Sequence, residues 1–312
     1  MGFRGEAGIG GRRSRRGIAV AGVAVGLVLL VAAALAGCSS GNTDEAQPTP
    51  TASQPSERPP ATYASVDDML SQDPFYIAHR GGSAQWPEMS MLAYSNAASW
   101  GMGALEVSVA RTKDGVYFGL HDKTLDRTSK VTGDVDPATL TWDELTAQYK
   151  NKLNAPTSEG VPYAPVSEIF EAYAQDHVIF VDPKYIGDSA ELAELIEEML
   201  AAAAADHWVL KGYNDNVSLA KLGRDEGIAS WGYYYSRNIS ELDTTSENWN
   251  MLGLEIDASA EQFATLKALG KPVIAFFITD EQTLAEATRK GAQGMMVSDV
   301  PTTLGSPLLA GS

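Results

Sequence analysis

Two of the four histidines in this chain lie where an enzyme could use them. His79 and His121 each stand at the downstream end of an apolar, strand-like run, and each is followed by a charged residue, Arg80 and Asp122. In a barrel of parallel strands, the chemistry takes place at the downstream ends of the strands. Imidazoles titrate near neutral pH, so two of them at such ends could give and accept protons. The pair therefore predicts acid–base catalysis.

The residues before His121 predict a β-hairpin. Strand-like segments flank Thr112–Gly115, and four residues are too few for a crossover helix, so the two strands must run antiparallel. A pairing centred on this turn places Glu106 directly opposite His121, with Ser108 on the same face. A bulge at Gly115 would shift the register by one residue. The alternative is a purely structural hairpin in which the histidine and the glutamate have no chemical role.

Nine strand-like runs alternate with helical patterns along the rest of the chain. Helical patterns cover residues 190–205, 214–226, 260–269 and 281–290. Strands that alternate with helices predict a parallel sheet with right-handed crossovers. The hairpin removes one strand from the parallel set and leaves eight, the number of a closed (β/α)8 TIM barrel. A doubly wound open sheet is the alternative, although no glycine-rich phosphate loop follows the first run. The runs lie near residues 75–79, 104–109, 116–121, 178–183, 207–211, 228–234, 251–256, 272–278 and 294–298.

The amino-terminal segment predicts export and lipid attachment. Residues 1–37 contain five arginines and one acid, and an apolar stretch leads to Leu-Ala-Gly-Cys at Cys38. This pattern is typical of a signal peptide, and its end resembles the lipobox of bacterial lipoproteins, whose cysteine carries the lipid. An uncleaved membrane-spanning anchor is the alternative. Residues 38–64 are rich in Ser, Thr, Pro and Gln, which predicts a disordered tether, and residues 65–312 are expected to form one barrel domain.

Charge and cysteine content narrow the possible partners. Removal of residues 1–37 takes five basic residues and one acidic residue from a chain of net charge −17, so the remainder carries −21. Such an acidic body argues against nucleic acid or an anionic membrane surface as a partner, and no protein partner is indicated. Cys38 is the only cysteine, so neither an intramolecular disulfide nor a thiolate metal site can form. We expect an extracytoplasmic protein that is attached to the cell membrane by lipid on Cys38.

Six motifs follow one another in order along the chain. They are HRGG from His79, Pro87-Glu88, ALEVSVARTKDG from Ala104, LHDKTLDRT from Leu120, DPK from Asp182 and GAQGMMVSDVP from Gly291. Taken in this order, the motifs resemble the glycerophosphodiester phosphodiesterase family. The match runs from about Phe75 to Pro301 and is most specific over residues 77–128. The resemblance implies a distorted barrel with a role in lipid metabolism, which hydrolyses glycerophosphodiesters or glycerophosphate polymers to sn-glycerol 3-phosphate and an alcohol.

The resemblance also implies roles for single residues. His79 and His121 would act as acid and base, with the order left undecided. Arg80 and Lys184 would bind the phosphate, and the fork of a guanidinium suits its non-bridging oxygens. In this family the neighbouring glycerol hydroxyl can be the nucleophile, which agrees with the lack of an evident Ser or Cys nucleophile in the sequence.

The same resemblance implies a divalent cation, Mg²⁺ or Ca²⁺, bound by Glu106 and Asp182. Ser108 stands where the family normally has a metal-binding Asp, and Asp182 stands where it usually has Glu. Loss of a carboxylate weakens divalent binding. Three outcomes are open: a weak site completed by water and Ser108, a site that works with little or no metal, or a domain that only binds ligands. Lys211 either replaces some of the lost positive charge or is a surface lysine.

Two functions therefore remain. The first is a surface-anchored phosphodiesterase, and the second is a catalytically degenerate, phosphodiester-binding lipoprotein on the same barrel.

Aromatic residues at Trp231 and Tyr233–Tyr235 end a strand-like run, and they either line the mouth of the site or pack in the core.

Overall fold

The computed structural model describes residues 62–308. The predicted signal peptide, Cys38 and residues 39–61 of the predicted tether lie outside this range, so the boundary at 37 and the lipid attachment stay predictions. Tyr63, which the prediction places in the tether, is buried in the core of the barrel. Within the described range, none of the helices combines the length and the apolar character that crossing a bilayer requires.

Eight parallel strands close into a barrel, as predicted. The first strand pairs with the last through Phe75 and Gly294, and with the second through Ile77 and Ala104, so the sheet has no open edge between them. A ninth, short strand lies antiparallel to the second. The strands are β1 Phe75–Ala78, β2 Ala104–Arg111, β3 Tyr117–Gly119, β4 Val178–Asp182, β5 Trp208–Tyr213, β6 Ala229–Tyr234, β7 Met251–Glu255, β8 Val273–Ile278 and β9 Gly294–Val297.

Helices surround the barrel. The α-helices are α1 Val66–Leu70, α2 Met91–Ser99, α3 Asp126–Ser129, α4 Trp142–Gln148, α5 Val166–Tyr173, α6 Ser189–Ala202, α7 Val217–Glu226, α8 Leu242–Thr245, α9 Ala260–Lys267, α10 Glu281–Lys290 and α11 Val300–Leu304. Their ends follow local chemistry: the Asp188 carboxylate accepts from the first backbone N–H groups of α6, and Gly291 ends α10 with φ of 81°. The four helical patterns in the sequence correspond to α6, α7, α9 and α10.

The strands alternate between two buried layers. In β4, Val178 and Phe180 pack inside the barrel, whereas Ile179 and Val181 pack against the helices. Because side chains alternate along a strand, Asp182 continues the inner row. The same alternation places Glu106 and Ser108 of β2, and Lys211 of β5, in the barrel interior. The interior is therefore apolar at its base and charged near the carboxyl ends of the strands.

The hairpin forms, but its register differs from the predicted one by one residue. Val109 pairs with Gly119, and Arg111 pairs with Tyr117, so Glu106 does not lie opposite His121. The cause is Gly115, whose φ of 93° makes a three-residue loop in which Thr112 pairs with Val116. The prediction that Glu106 and His121 form a cross-strand pair is therefore wrong, and the bulge at Gly115 explains why.

Candidate active site

A cavity at the carboxyl ends of the strands brings together four of the residues that the sequence predicts. His79, Arg80, His121 and Lys184 all line it, and Lys211 forms part of its wall. The remaining wall is aromatic and consists of Trp231, Tyr233, Tyr235, Phe276 and Phe277. Trp231 and Tyr233 fulfil both alternatives left open by the sequence, since they line the cavity and also pack in the apolar interior of the barrel, and Tyr235 packs beside them. The Tyr234 ring packs towards the helices and forms a hydrogen bond with Thr245.

A sharp turn after β1 sets the position of His79 and Arg80. Arg80, Gly81 and Gly82 all have positive φ, of 52°, 76° and 92°. A Cβ on Gly81 would lie 2.9 Å from the Ala93 Cβ, which explains the glycine at that position. The turn directs the backbone N–H of Arg80 to Glu106 Oε2 at 2.8 Å. A non-glycine residue held in this conformation is characteristic of functional sites.

His79 is buried, and only one of its two ring nitrogens has a hydrogen-bond partner in the described part of the chain. Its ring stacks on Phe277 with centroids 4.1 Å apart, and Nδ1 lies 2.8 Å from Ser298 Oγ. Nε2 has no hydrogen-bond partner anywhere in residues 62–308. Burial, and next the charge of Arg80, hold the pKa of His79 well below its usual value. The imidazole is therefore neutral at pH 7 and able to accept a proton.

His121 has a different environment because a carboxylate adjoins it. Nδ1 lies 2.8 Å from Asp122 Oδ1, and Nε2 lies 2.9 Å from Lys184 Nζ. An ammonium can only donate, so in this arrangement Nε2 is the acceptor and the proton is on Nδ1. Burial, and next the charge of Arg80, hold the pKa of His121 below its usual value, and the hydrogen bond to Asp122 offsets them only in part. Asp122 thus favours the protonated form of His121, whereas no carboxylate among the residues that the structure describes is hydrogen-bonded to the ring of His79.

A chain of ion pairs connects the two catalytic candidates. The Glu88 carboxylate is almost fully buried, and it accepts from Arg80 Nη1 at 3.2 Å and from Arg127 Nη2 at 2.7 Å. Arg127 Nε in turn donates to Asp122 Oδ2 at 2.6 Å. Burial would raise the pKa of Asp122, but its bonds to Arg127 and His121 lower it to about 2. The network fixes the orientation of the guanidinium of Arg80 and of the ring of His121.

Beneath the cavity, the two predicted acidic ligands contact a lysine. Lys211 Nζ lies 2.6 Å from Glu106 Oε1 and 3.3 Å from Asp182 Oδ2. Burial tends to raise the pKa of Glu106, but the charge of Lys211 outweighs it and keeps the pKa well below its usual value. Burial tends to lower the pKa of Lys211, yet Glu106 and Asp182 raise it overall. Glu106 and Lys211 thus form a buried ion pair, with the buried carboxylate of Asp182 beside it.

The donors in this cluster do not fit a divalent cation. Mg²⁺ requires octahedral oxygen ligands at about 2.0–2.1 Å, and Ca²⁺ takes roughly six to eight at about 2.3–2.6 Å. Here both oxygens of Glu106 already accept hydrogen bonds, and the Lys211 ammonium lies between Glu106 and Asp182. No group of three or more His, Cys, Asp or Glu side chains with the spacing of a metal site occurs within residues 62–308. The predicted Mg²⁺ or Ca²⁺ site at Glu106, Asp182 and Ser108 stays a prediction, and the geometry favours another cation.

Sequence reasoning missed several contacts that shape the site. Glu88 and Arg127 belong to quoted motifs, Pro87-Glu88 and LHDKTLDRT, yet their ion pairs were not predicted. Phe277 lies in an apolar run that carries no sign of its stacking on His79. Ser298 is part of the last motif, so its position in the sequence could have signalled a role. The one lysine whose role was left open, Lys211, is buried and ionically paired instead of exposed.

A cavity at the other end of the barrel has no comparable chemistry. It has a volume of about 560 Å³ and is lined by loop and helix-end residues that include Asp73, Lys267 and Lys271. Neither catalytic candidate lies near it. The amino-terminal end of a (β/α)8 barrel usually serves stability, in agreement with this composition.

Comparison with known proteins identifies relatives of one kind. Residues 79–217 match the model of the glycerophosphoryl diester phosphodiesterase family. A probable glycerophosphodiester phosphodiesterase 1 of Mycobacterium tuberculosis is 43% identical over 75 residues, which are 24% of this chain and 27% of that protein. The glycerophosphodiester phosphodiesterase of Bacillus subtilis is 28% identical over 161 residues, 48% of this chain and 53% of that protein. The chain thus spans about a quarter to a half of these relatives.

Solved structures share the fold at low sequence identity. A phosphodiesterase of Oleispira antarctica, in complex with the product sn-glycerol-3-phosphate, aligns with a TM-score of 0.63 and 22% identity over 75% of this chain and 96% of that one. A glycerophosphoryl diester phosphodiesterase structure from Silicibacter pomeroyi aligns with a TM-score of 0.63 and 17% identity over 77% and 96%. At these identities the alignments establish the barrel alone.

Proposed function

We propose that this chain, whose residues 79–217 match the glycerophosphoryl diester phosphodiesterase family, hydrolyses glycerophosphodiesters to sn-glycerol 3-phosphate and an alcohol. One observation carries the proposal. Two histidines line a single cavity together with Arg80 and Lys184, whose positive charges suit the non-bridging oxygens of a phosphodiester. Such a substrate is a stable anion, so its cleavage needs charge neutralisation as well as proton transfer.

We assign the role of base to His79 and that of acid to His121. The two imidazoles differ in their partners: a neutral serine hydroxyl for His79 and a carboxylate for His121. Environments that separate the protonation of two groups also separate their roles. In the resting site, Lys184 donates to Nε2 of His121; when an anionic phosphate binds, Lys184 turns to it, and His121 becomes free to hold a second proton.

The proposed reaction then proceeds in two steps. His79 Nε2 accepts the proton of the glycerol hydroxyl next to the phosphate as its oxygen attacks phosphorus. The bond from phosphorus to the alcohol oxygen breaks, and His121 donates a proton to that oxygen. Water opens the resulting cyclic phosphate, with His121 accepting a proton from the water and His79 returning its proton to the glycerol oxygen. Arg80 and Lys184 stabilise the charge on the non-bridging oxygens throughout.

The activity is tested by release of sn-glycerol 3-phosphate from glycerophosphocholine. His79→Ala and His121→Ala should each lower kcat by about 100- to 10,000-fold, the usual contribution of a proton-transferring group. His207→Ala is the matched control, because His207 lies at the opposite end of the barrel, before β5. Activity that survives both site substitutions would refute the proposal.

A substrate with a p-nitrophenyl leaving group tests the division of roles. Such a group departs without protonation, so His121→Ala should regain most of its lost rate with glycerol p-nitrophenyl phosphate, whereas His79→Ala should not. The opposite pattern would reverse the two assignments. Equal losses with both substrates would contradict the separate acid and base.

The alternative function is phosphodiester binding without turnover. The occupation of the acidic pocket by Lys211 is the observation that favours it, since the metal predicted from the sequence has no free position there. Isothermal titration with glycerophosphocholine distinguishes the two functions. Binding in the micromolar to millimolar range, combined with no product after long incubation, would support this alternative.

The substrate and location proposals continue from the sequence. We propose that the barrel is held outside the cytoplasm by lipid on Cys38 and acts on small glycerophosphodiesters or glycerophosphate polymers. The basic, apolar and Cys-terminated segment before residue 39 supports this, as does an acidic body that disfavours nucleic acid. Incorporation of a labelled fatty acid into the wild-type chain, lost in Cys38→Ser, is the expected result. Equal labelling of both would contradict it.

A further inference from the structure

We propose that the ammonium of Lys211 is the resident cation of this site, in place of a divalent metal, and that the hydrolysis needs no metal ion. The statement about cation occupancy stands on the geometry alone. The statement about catalysis also rests on the proposed phosphodiesterase function.

The position of Lys211 Nζ is the first reason. It lies between the two carboxylates at the carboxyl ends of β2 and β4, at 2.6 Å from Glu106 Oε1 and 3.3 Å from Asp182 Oδ2. A metal that bridged these two oxygens would have to occupy the same space. The ammonium and a dication therefore exclude each other, both by volume and by charge repulsion.

Packing keeps the ammonium there. Lys211 is 5% exposed, and its charge lies 5.8 Å from the ring centroid of Trp231 and 5.6 Å from that of Tyr233. Rings at these distances attract a cation and fill the space around the lysine. A buried ammonium without its carboxylates would be costly, so Glu106 and Asp182 stabilise Lys211 in this position.

The neighbouring Ser108, a neutral residue, is a further reason. Its hydroxyl lies 3.3 Å from Glu106 Oε1 and adds no negative charge to the cluster. Two carboxylates and one ammonium leave a single net negative charge, which has little capacity to hold a further dication against Arg80 and Lys184. Ser108 and Lys211 thus both disfavour the binding of a divalent cation.

The ammonium can also contact the substrate. An ammonium has three N–H donors. Lys211 donates one of them to Glu106 Oε1, whereas Asp182 Oδ2, at 3.3 Å, accepts no hydrogen bond within the described residues. Lys211 lines the same cavity as the two histidines, so a remaining donor is available to a non-bridging phosphate oxygen. In this role Lys211 is a catalytic residue that supplies the positive charge of a metal without its coordination sphere.

The first experiment uses the full wild-type chain after removal of metal with EDTA. Equilibrium titration with Mn²⁺ and Ca²⁺ should show no stoichiometric site tighter than about 1 mM, the weak end of protein calcium sites. Release of sn-glycerol 3-phosphate should change less than two-fold between EDTA and added Mg²⁺, Ca²⁺ or Mn²⁺. One tight site per chain, or activity that EDTA abolishes and metal restores, would overturn the inference.

Variants provide the second experiment. Lys211→Met retains the length of the stem but removes the charge, and it should lower activity at least 100-fold without rescue by metal. Lys267→Met, on the exposed end of α9 away from the site, is the matched control. Because Lys211→Met leaves two buried carboxylates unpaired, folding is checked by circular dichroism, and Lys211→Arg gives a charged variant for comparison. Wild-type activity in a folded Lys211→Met would refute the role.

The third experiment reverses the proposed exchange. The double variant Ser108→Asp with Lys211→Ala removes the ammonium and adds a carboxylate, and it should bind one Mn²⁺ per chain that the wild type does not bind. A double variant with no more Mn²⁺ affinity than wild type would show that Lys211 is not what excludes a metal. If the wild-type chain has no activity at all, the proposed function is refuted. Even then, a wild type that does not bind Mn²⁺, together with a double variant that does, would support Lys211 as the resident cation.

Discussion

Replacement of Asp122 by Asn should slow the hydrolysis of glycerophosphocholine about 10- to 150-fold at pH 7. The substitution retains the shape of the side chain but removes the negative charge 2.8 Å from His121 Nδ1. This charge is what distinguishes the environment of His121 from that of His79, and it favours the protonated imidazole that the leaving group needs.

The magnitude follows from the contact. A hydrogen bond to a charged group contributes about 1.5–3 kcal/mol, and 1.36 kcal/mol corresponds to about ten-fold in rate. The side chains of His121 and Asp122 are 25% and 28% exposed, so solvent screens the pair only in part. The direction in which the pH–rate profile shifts also follows from this contact. The acid must carry a proton, and without Asp122 the pKa of His121 falls, so activity is lost at lower pH on the basic limb of the profile.

The assay compares two substrates across pH. Glycerophosphocholine depends on protonation of its leaving group, whereas glycerol p-nitrophenyl phosphate does not, so the second should lose no more than about three-fold in Asp122→Asn. Asp122 also holds Arg127 at 2.6 Å, and Arg127→Gln is therefore the control. It breaks the ion-pair chain but leaves the carboxylate beside His121.

Two results would refute the reasoning. If Arg127→Gln reproduces the whole loss, Asp122 acts by holding the ion-pair chain and not on His121. If Asp122→Asn slows both substrates equally, or shifts the basic limb to higher pH, His121 is not the acid. A loss confined to glycerophosphocholine in the Asp122 variant alone would support the assignment.

Three further predictions concern other parts of the site and the barrel. Phe277→Ala exposes His79 and should raise its pKa towards the usual value. Because the base must be neutral, the acidic limb of the pH–rate profile should then move to higher pH. An unchanged acidic limb would contradict the role of burial. Glu88→Gln weakens the hydrogen bonds to the guanidiniums of Arg80 and Arg127, and it should lower the free energy of unfolding in urea by about 1.5–3 kcal/mol. KM should also rise, because Arg80 loses its orientation. An unchanged KM would refute this second effect. Gly232→Ala places a Cβ against the ring of Trp249 and should cost about 1–3 kcal/mol in urea unfolding, whereas Gly133→Ala, where no atom lies within 4 Å, tests the backbone effect alone.

Local patterns in the sequence predicted the barrel and placed two candidate catalytic histidines at the ends of strands. Nine strand-like runs and four helical patterns correspond to elements of the structure, because apolar periodicity reflects burial that each element experiences along its own length. His79 and His121 were placed at strand ends by the same reasoning, and closure of the barrel brings those ends to one cavity. The count of nine strand-like runs and the hairpin together predicted eight parallel strands.

Only the tertiary structure decided which charges meet. Lys211 and Glu106 are 105 residues apart, and their contact exists because β4 pairs with both β2 and β5, which sets the inner rows of the three strands side by side. The register of the hairpin depended on the backbone angle of Gly115, which the residue type permits but does not impose. Apolar burial is a property of each segment, whereas an ion pair requires two distant segments at one distance and orientation. For that reason the sequence determined where the site lies, and the fold determined that a lysine occupies its acidic pocket.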